Sequence, residues 1–260
     1  MNSAALPLQN WILLRGLLRE SGHWGAFVPR LQTALPHARV VALDAPGCGQ
    51  LYAQRSPTCM ADLVLALRAQ LAAQGVVPPY HLLAMSMGAM VAAHWSQRYP
   101  HEVAAQVWIN TSMRPFSTPL QRLRPHNYAR LLRLLRPGTR GLDWESTIWQ
   151  LTSHLSDAGV VADWLALRRV HPVSRANMLR QLWAAARFCA DSTAPACPTL
   201  LLASTQDALV DVACSRAITA AWQLPLHEHP RAGHDLPLDD GRWVVVQLQR
   251  WLKTLSSSSN

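Results

Sequence analysis

Ser86 lies in the run His81-Leu-Leu-Ala-Met-Ser86-Met-Gly-Ala-Met-Val-Ala-Ala93, between a short apolar stretch and an alanine-rich one, with Ala84 and Gly88 two positions to either side. A serine on such a strand–turn–helix sits on a tight bend, which requires small neighbours and lifts the hydroxyl above the sheet edge. The helix that follows offers free backbone N–H groups and a positive dipole end to a developing oxyanion. Taken alone, the same serine reads equally well as a helix N-cap. A serine hydroxyl is a weak nucleophile until a base takes its proton, and the base needs an acceptor that fixes its tautomer. Both partners have candidates downstream: Asp207 in Ser204-Thr-Gln-Asp207-Ala-Leu-Val and His234 in Pro230-Arg-Ala-Gly-His234-Asp. Asp211 is a second candidate acid, but it opens a helix and is explained as an N-cap, so its position after the strand favours Asp207.

These residues need a scaffold, and the chain supplies one in which short apolar runs alternate with longer amphipathic ones. That pattern predicts an α/β fold with a mostly parallel central sheet and helices on both faces. The expected strands are Trp11–Leu14, Val40–Leu43, His81–Met85, Gln106–Ile109, Thr199–Ala203 and Leu226–His229, and the main helices Met60–Gln74, Met87–Arg98, Val212–Trp222 and Trp243–Leu255. Ser86, Asp207 and His234 each follow a predicted strand, which is where ligands bind in an open α/β sheet. Residues 113–187 contain no strand-like run and are read as a helical cap inserted between core segments 1–112 and 188–260.

With these residues in place the chain resembles the α/β-hydrolase family over nearly its whole length, in the serine hydrolase and esterase branch with a helical cap. The resemblance extends to Arg15-Gly16-Leu17, where the family usually has His-Gly, to Asp44-Ala-Pro-Gly-Cys-Gly49, and to Arg98-Tyr-Pro100. It implies oxyanion donors at the backbone N–H groups of Leu17 and Met87. Two positions depart from the family's pattern: Ala84 replaces the first glycine of Gly-x-Ser-x-Gly, and Arg15 replaces the histidine. Arg15 either adds a positive charge at the pocket or forms an ion pair that pins the loop. In layout the chain is similar to the carboxylesterases of the biotin pathway that act on methyl esters. Carbon–carbon bond hydrolases share the same residues.

The 24 Lys+Arg outnumber the 15 Asp+Glu, giving a net charge of +9. The excess is unevenly placed. Residues 113–187 hold twelve arginines against four acids, a balance of +8, and the rest of the chain holds twelve basic and eleven acidic residues, a balance of +1. Trp149 and Trp183 in the same segment are candidate substrate contacts alongside Arg15, whereas the plainer reading packs the aromatics onto the core and leaves the arginines in water. A small-molecule ester is the expected substrate, with an acidic acyl carrier protein or a CoA-linked acyl group as a partner that would suit the arginines. Nucleic acid is disfavoured, since no module for binding it accompanies the basic residues.

No cofactor and no metal are expected. Five cysteines form no CxxC pair, and His227 and His229 lack a third ligand. Cys48, in its glycine-rich turn, reads as a turn residue rather than a reactive thiol. The start has no signal-peptide pattern and no apolar run reaches the length of a membrane span, which together predict a cytoplasmic protein. A catalytically silent binding protein on the same fold is the alternative from outside enzymology.

Overall fold

A computed structural model describes residues 9–136 and 138–257. The outermost residues assigned to the core, 1–8 and 258–260, lie outside them. The strand β1 (Gln9–Leu14) is followed by α1 (Phe27–Ala34), β2 (Ala38–Leu43), α2 (Met60–Ala73), β3 (Tyr80–Met85), α3 (Met87–Arg98) and β4 (Val103–Ile109). The helices α4 (Pro119–Arg122), α5 (Tyr128–Leu134), α6 (Gly141–Thr152), α7 (Val160–Val170) and α8 (Arg175–Arg187) come next. The chain ends with β5 (Thr199–Ser204), α9 (Val212–Trp222), β6 (Leu226–His229) and α10 (Leu236–Ser257).

The six strands form one parallel sheet in the order β2-β1-β3-β4-β5-β6. Parallel strands covered on both faces read as continuous apolar runs, and β1, β3 and β5 are buried almost throughout. Their alternate residues feed two apolar clusters. One gathers Ile12, Leu82, Trp108 and Leu201 with α2, α3 and α9; the other gathers Trp11, Leu83, Val107 and Leu202 with α1 and α10. The expected strands all form, five of them longer by one to three residues and β6 with the expected bounds. Two helices differ from expectation. The short helix α1, which contains Pro29, is absent from the expected set, and α10 begins at Leu236 rather than Trp243, with a kink of non-helical backbone at Asp240.

Between β4 and β5 the described chain is helical and contributes no strand to the sheet. It leaves and returns at one neck, where Arg114 and Cys189 form an isolated bridge and Ala190 N–H donates to the Arg114 carbonyl at 2.7 Å. Charged and amide groups join this segment to the loop after β1. The Arg19 guanidinium donates to Glu145 Oε2 at 2.7 Å and lies 4.1 Å above the Trp164 ring, and Glu20 meets His171 at 3.1 Å. Among the described residues no helix is long and apolar enough to cross a membrane.

Candidate active site

Ser86 occupies the single-residue bend between β3 and α3 with φ +54° and ψ −120°, backbone that non-glycine residues seldom adopt. The space for this bend comes from glycines. An added Cβ at Gly88 would lie 2.4 Å from the Leu14 carbonyl oxygen, and one at Gly16 only 3.1 Å from the Ser86 Cβ. Gly88 therefore lets α3 pack directly on the end of β1, and Gly16 lets the loop after β1 lie against the serine. Ala84 is fully buried within the sheet, so the extra methyl is accommodated. The Ser86 side chain makes no N-cap hydrogen bond, which removes the capping explanation for this residue.

His234 Nδ1 is 2.7 Å from Asp207 Oδ2, with both side chains buried. The other carboxylate oxygen, Asp207 Oδ1, accepts from the backbone N–H groups of Leu209 and Val210 at 2.8 and 2.9 Å, so the acid is fixed from both sides. Burial opposes protonation of His234. The Asp207 charge and hydrogen bond, with a smaller contribution from Asp235, outweigh it and hold the imidazole above its ordinary pKa. Asp211 instead caps α9 through Ala213 N–H and pairs with Arg124 at 3.3 Å.

The serine and histidine loops meet at the end of β4, on two residues that sequence reasoning did not single out. Asn110, at φ +46°, donates from Nδ2 to the carbonyls of His234 at 2.7 Å and Gly233 at 3.3 Å, and accepts from Ser204 N–H at 2.7 Å. Thr111 Oγ1 donates to the Ser86 carbonyl at 3.0 Å, and Ser86 N–H to that of Ile109 at 2.9 Å. Among the described residues no hydrogen bond joins the Ser86 hydroxyl to His234; contacts of this kind often tighten only in a substrate complex.

The N–H groups of Leu17 and Met87 donate to no acceptor among the described residues. Met87 is the first residue of α3, where backbone donors have no partner within the helix. Next to Leu17, Leu18 has φ +61° and its N–H donates to Gln181 Oε1 on α8 at 3.0 Å. Arg15 forms a two-point ion pair with Asp235, Nη2 to Oδ2 at 2.6 Å and Nη1 to Oδ1 at 3.1 Å, with both side chains 3% exposed. Its guanidinium thus joins the loop carrying Gly16 and Leu17 to the residue after His234.

The two tryptophans are placed differently. Trp149 donates from its ring N–H to Ser156 Oγ at 2.9 Å, and Trp183 is 55% exposed. Neither makes a hydrogen bond or ring contact with Ser86 or His234 among the described residues. A cavity of about 220 Å³ among the helices between β4 and β5 is lined by Leu18, Leu134, Leu135, Trp144, Arg168 and Met178, among others. Ser86, Asp207 and His234 do not line it, and Leu18 is its one lining residue, among the described residues, from outside the segment between β4 and β5.

Asp44 and Gly49 of the Asp-x-Pro-Gly-x-Gly turn serve the scaffold. The carboxylate accepts from Ser21 N–H at 2.6 Å and Gln50 N–H at 3.0 Å, in space that a side chain at Gly49 would fill. Burial pushes the Cys48 thiol up to about 11, and its sulfur accepts from Gln181 Nε2 at 3.1 Å. His227 meets Gln247 at 2.6 Å and His229 meets Asp240 at 3.3 Å. Among the described residues no group of three or more His, Cys, Asp or Glu side chains could hold a metal ion.

The model of a family described as alpha/beta hydrolase matches residues 11–247. No curated protein matches the sequence. Among solved structures, a candidate lipase from Acinetobacter baumannii AYE superposes with TM-score 0.77 at 18% identity, over 96% of this chain and 85% of that one. A thermophilic esterase from Thermogutta terrifontis gives 0.75 at 19%, over 95% and 90%. A membrane phospholipase A described as a bacterial virulence factor gives 0.75 at 20%, over 96% and 80%. At these identities the likeness is one of fold.

Proposed function

This chain belongs to the alpha/beta hydrolase family, and on that premise we propose that it is a serine hydrolase that cleaves a carboxylic ester through an acyl-enzyme. The observation that carries the reading is the buried His234–Asp207 hydrogen bond at the same sheet edge as a serine held in strained backbone with no capping role. His234 Nε2 takes the Ser86 proton as Oγ attacks the ester carbonyl. The negative oxygen that forms is held by the N–H groups of Leu17 and Met87. As the carbon–oxygen bond breaks, the imidazolium returns the proton to the departing alcohol. A water then loses its proton to His234 and attacks the acyl carbon; as the bond to Oγ breaks, the imidazolium returns that proton to Ser86 and the acid is freed. Asp207 keeps Nδ1 protonated and stabilises the imidazolium. A resident metal or cofactor has no step in this sequence, and the setting is a cytoplasmic one.

Residues 113–187 act as the cap in this proposal. Its arginines favour a second substrate reading, an acyl group presented on an acidic carrier protein or on CoA, as ester or thioester. Part of that charge is already engaged inside the protein, because Arg124 pairs with Asp211, Arg140 with Asp143 and Arg168 with Glu145, and Arg122 donates to the Ala185 carbonyl. A carbon–carbon bond hydrolase would use the same three residues. Labelling with a fluorophosphonate probe tests the enzyme reading, since a reactive Ser86 labels and Ser86→Ala does not. Failure of the native chain to label, or equal labelling of the variant, leaves the binding-protein alternative. Esters of increasing acyl length, with CoA and carrier-linked acyl groups beside them, separate the substrate classes.

A further inference from the structure

Helix α8 buries two amide side chains beside Met178 and Ala184 and leaves a set of large apolar ones outside. Its inward face carries Asn177 and Gln181, whose amides bind the loops below: Asn177 Oδ1 accepts from Ser56 N–H at 2.9 Å, and Gln181 Nε2 donates to Ser56 Oγ at 3.1 Å. Its outward face carries Leu179, Leu182 and Trp183, which are 59%, 38% and 55% exposed. These three recur at i, i+3 and i+4 and so form one stripe. Arg122 of the neighbouring helix α4 donates to the Ala185 carbonyl at 2.6 Å, and Leu120 of α4 is itself 59% exposed. A contiguous exposed apolar stripe of this kind marks a surface made to be covered.

The charge around the stripe is of one sign. From residue 164 to residue 190 the sequence has five arginines and neither aspartate nor glutamate. Arg175 and Arg187 flank the stripe, and the Arg187 guanidinium lies 5.3 Å over the Trp183 ring. Apart from alanines, the outward positions of α8 hold only leucine, tryptophan and arginine, with no hydrogen-bond acceptor. Protein partners are recognised through about one hydrogen bond per 100–200 Å² of interface, and this face can only donate. An anionic lipid surface requires no more than this face has: apolar side chains to enter the headgroup boundary and cations to meet phosphate. Tryptophan beside arginine suits that boundary, where one end of the side chain is apolar and the other wet.

We propose that the outward face of α8 docks the protein onto anionic phospholipid membranes. Binding is read by co-sedimentation of the full chain with vesicles of phosphatidylcholine alone and of phosphatidylcholine mixed with phosphatidylglycerol, at low and high salt. The native chain binds the anionic vesicles, and salt weakens the binding by screening. Leu179→Ser/Leu182→Ser lowers partitioning about tenfold or more, with circular dichroism and turnover of a soluble short-chain ester unchanged. Arg175→Gln/Arg187→Gln removes the preference for the anionic vesicles. Equal binding to both vesicle types, no binding to the anionic ones, or leucine variants that bind like the native chain overturn the proposal. Ultracentrifugation that shows self-association abolished by the leucine substitutions, with no vesicle binding, overturns it in favour of a second copy of this chain.

Discussion

Replacing Asp235 with Asn removes one charge from a pair whose side chains are both 3% exposed. Arg15 keeps its own charge, because a guanidinium does not deprotonate in a protein. Its remaining neighbours are poor substitutes: the Met85 sulfur at 3.5 Å and the Trp24 ring at 4.8 Å, with its Nε already buried without a partner. Breaking one side of a buried pair costs about 3–5 kcal/mol, a large share of the roughly 5–15 kcal/mol that holds a typical domain folded. For a chain of this size that corresponds to a melting midpoint roughly 6–20 °C lower. Urea unfolding followed by tryptophan fluorescence measures the loss, provided the slope with denaturant is unchanged. Arg15→Met/Asp235→Leu removes both charges and recovers most of the stability, because an apolar pair of similar volume avoids the desolvation cost. A loss under about 1 kcal/mol for Asp235→Asn, the range of exposed ion pairs, would refute the reasoning, as would a double variant less stable than the single one.

Asp207→Asn leaves the fold intact through its contacts with Leu209 and Val210 and lowers kcat about 10⁴-fold, because the amide favours the wrong imidazole tautomer; a loss under tenfold would remove Asp207 from the proposed triad. In the proposed mechanism His234 must be neutral to accept the serine proton, and its pKa is raised. Activity is therefore full above that raised value and falls as pH drops through it, so the acid limb of kcat/KM lies above the ordinary histidine value of about 6.5; a limb at or below it contradicts the coupling to Asp207. Gly88→Ala places a Cβ against the Leu14 and Arg15 carbonyls at 2.4 and 2.7 Å, which displaces the start of α3, costs about 1–3 kcal/mol and lowers kcat at least about tenfold. Native thermal stability and turnover in that variant would show that α3 has room to move.

The sheet was readable because a parallel sheet covered on both faces needs short apolar runs, and Trp11–Leu14, Leu82–Met85, Val107–Ile109 and Leu200–Ala203 are such runs. Ser86, Asp207 and His234 stood out because each is a chemically capable residue beyond a strand end, although the sequence left Ser86 open to a capping role that only its backbone angles and free hydroxyl resolve. Asn110 was hidden. Its work consists of holding carbonyls 123 and 124 residues away, and nothing in its own neighbourhood announces that. The strained backbone at Leu18 was hidden for a similar reason, since the restraint is supplied by Gln181 from another part of the chain. Arg15 had two readings until Asp235 was found opposite it, because an ion pair across 220 residues has no local signature. The net charge was countable, but which arginines are already paired depended on where the acids lie.

Asp239 sits where the loop carrying His234 meets the helices between β4 and β5. Its carboxylate accepts from the N–H groups of His154, Leu155 and Ser156 on one side and of Gly233 on the other, and Asp235 N–H donates to the Thr152 carbonyl at 2.7 Å. A Cβ on Gly233 would lie 2.7 Å from that same carbonyl oxygen. The helices between β4 and β5 and the loop carrying His234, the proposed base, are consequently not independent modules. Grafting a relative's insertion onto this core to change substrate range also replaces the floor on which His234 stands, so a working chimera has to exchange residues 152–156 and 233–239 as one unit.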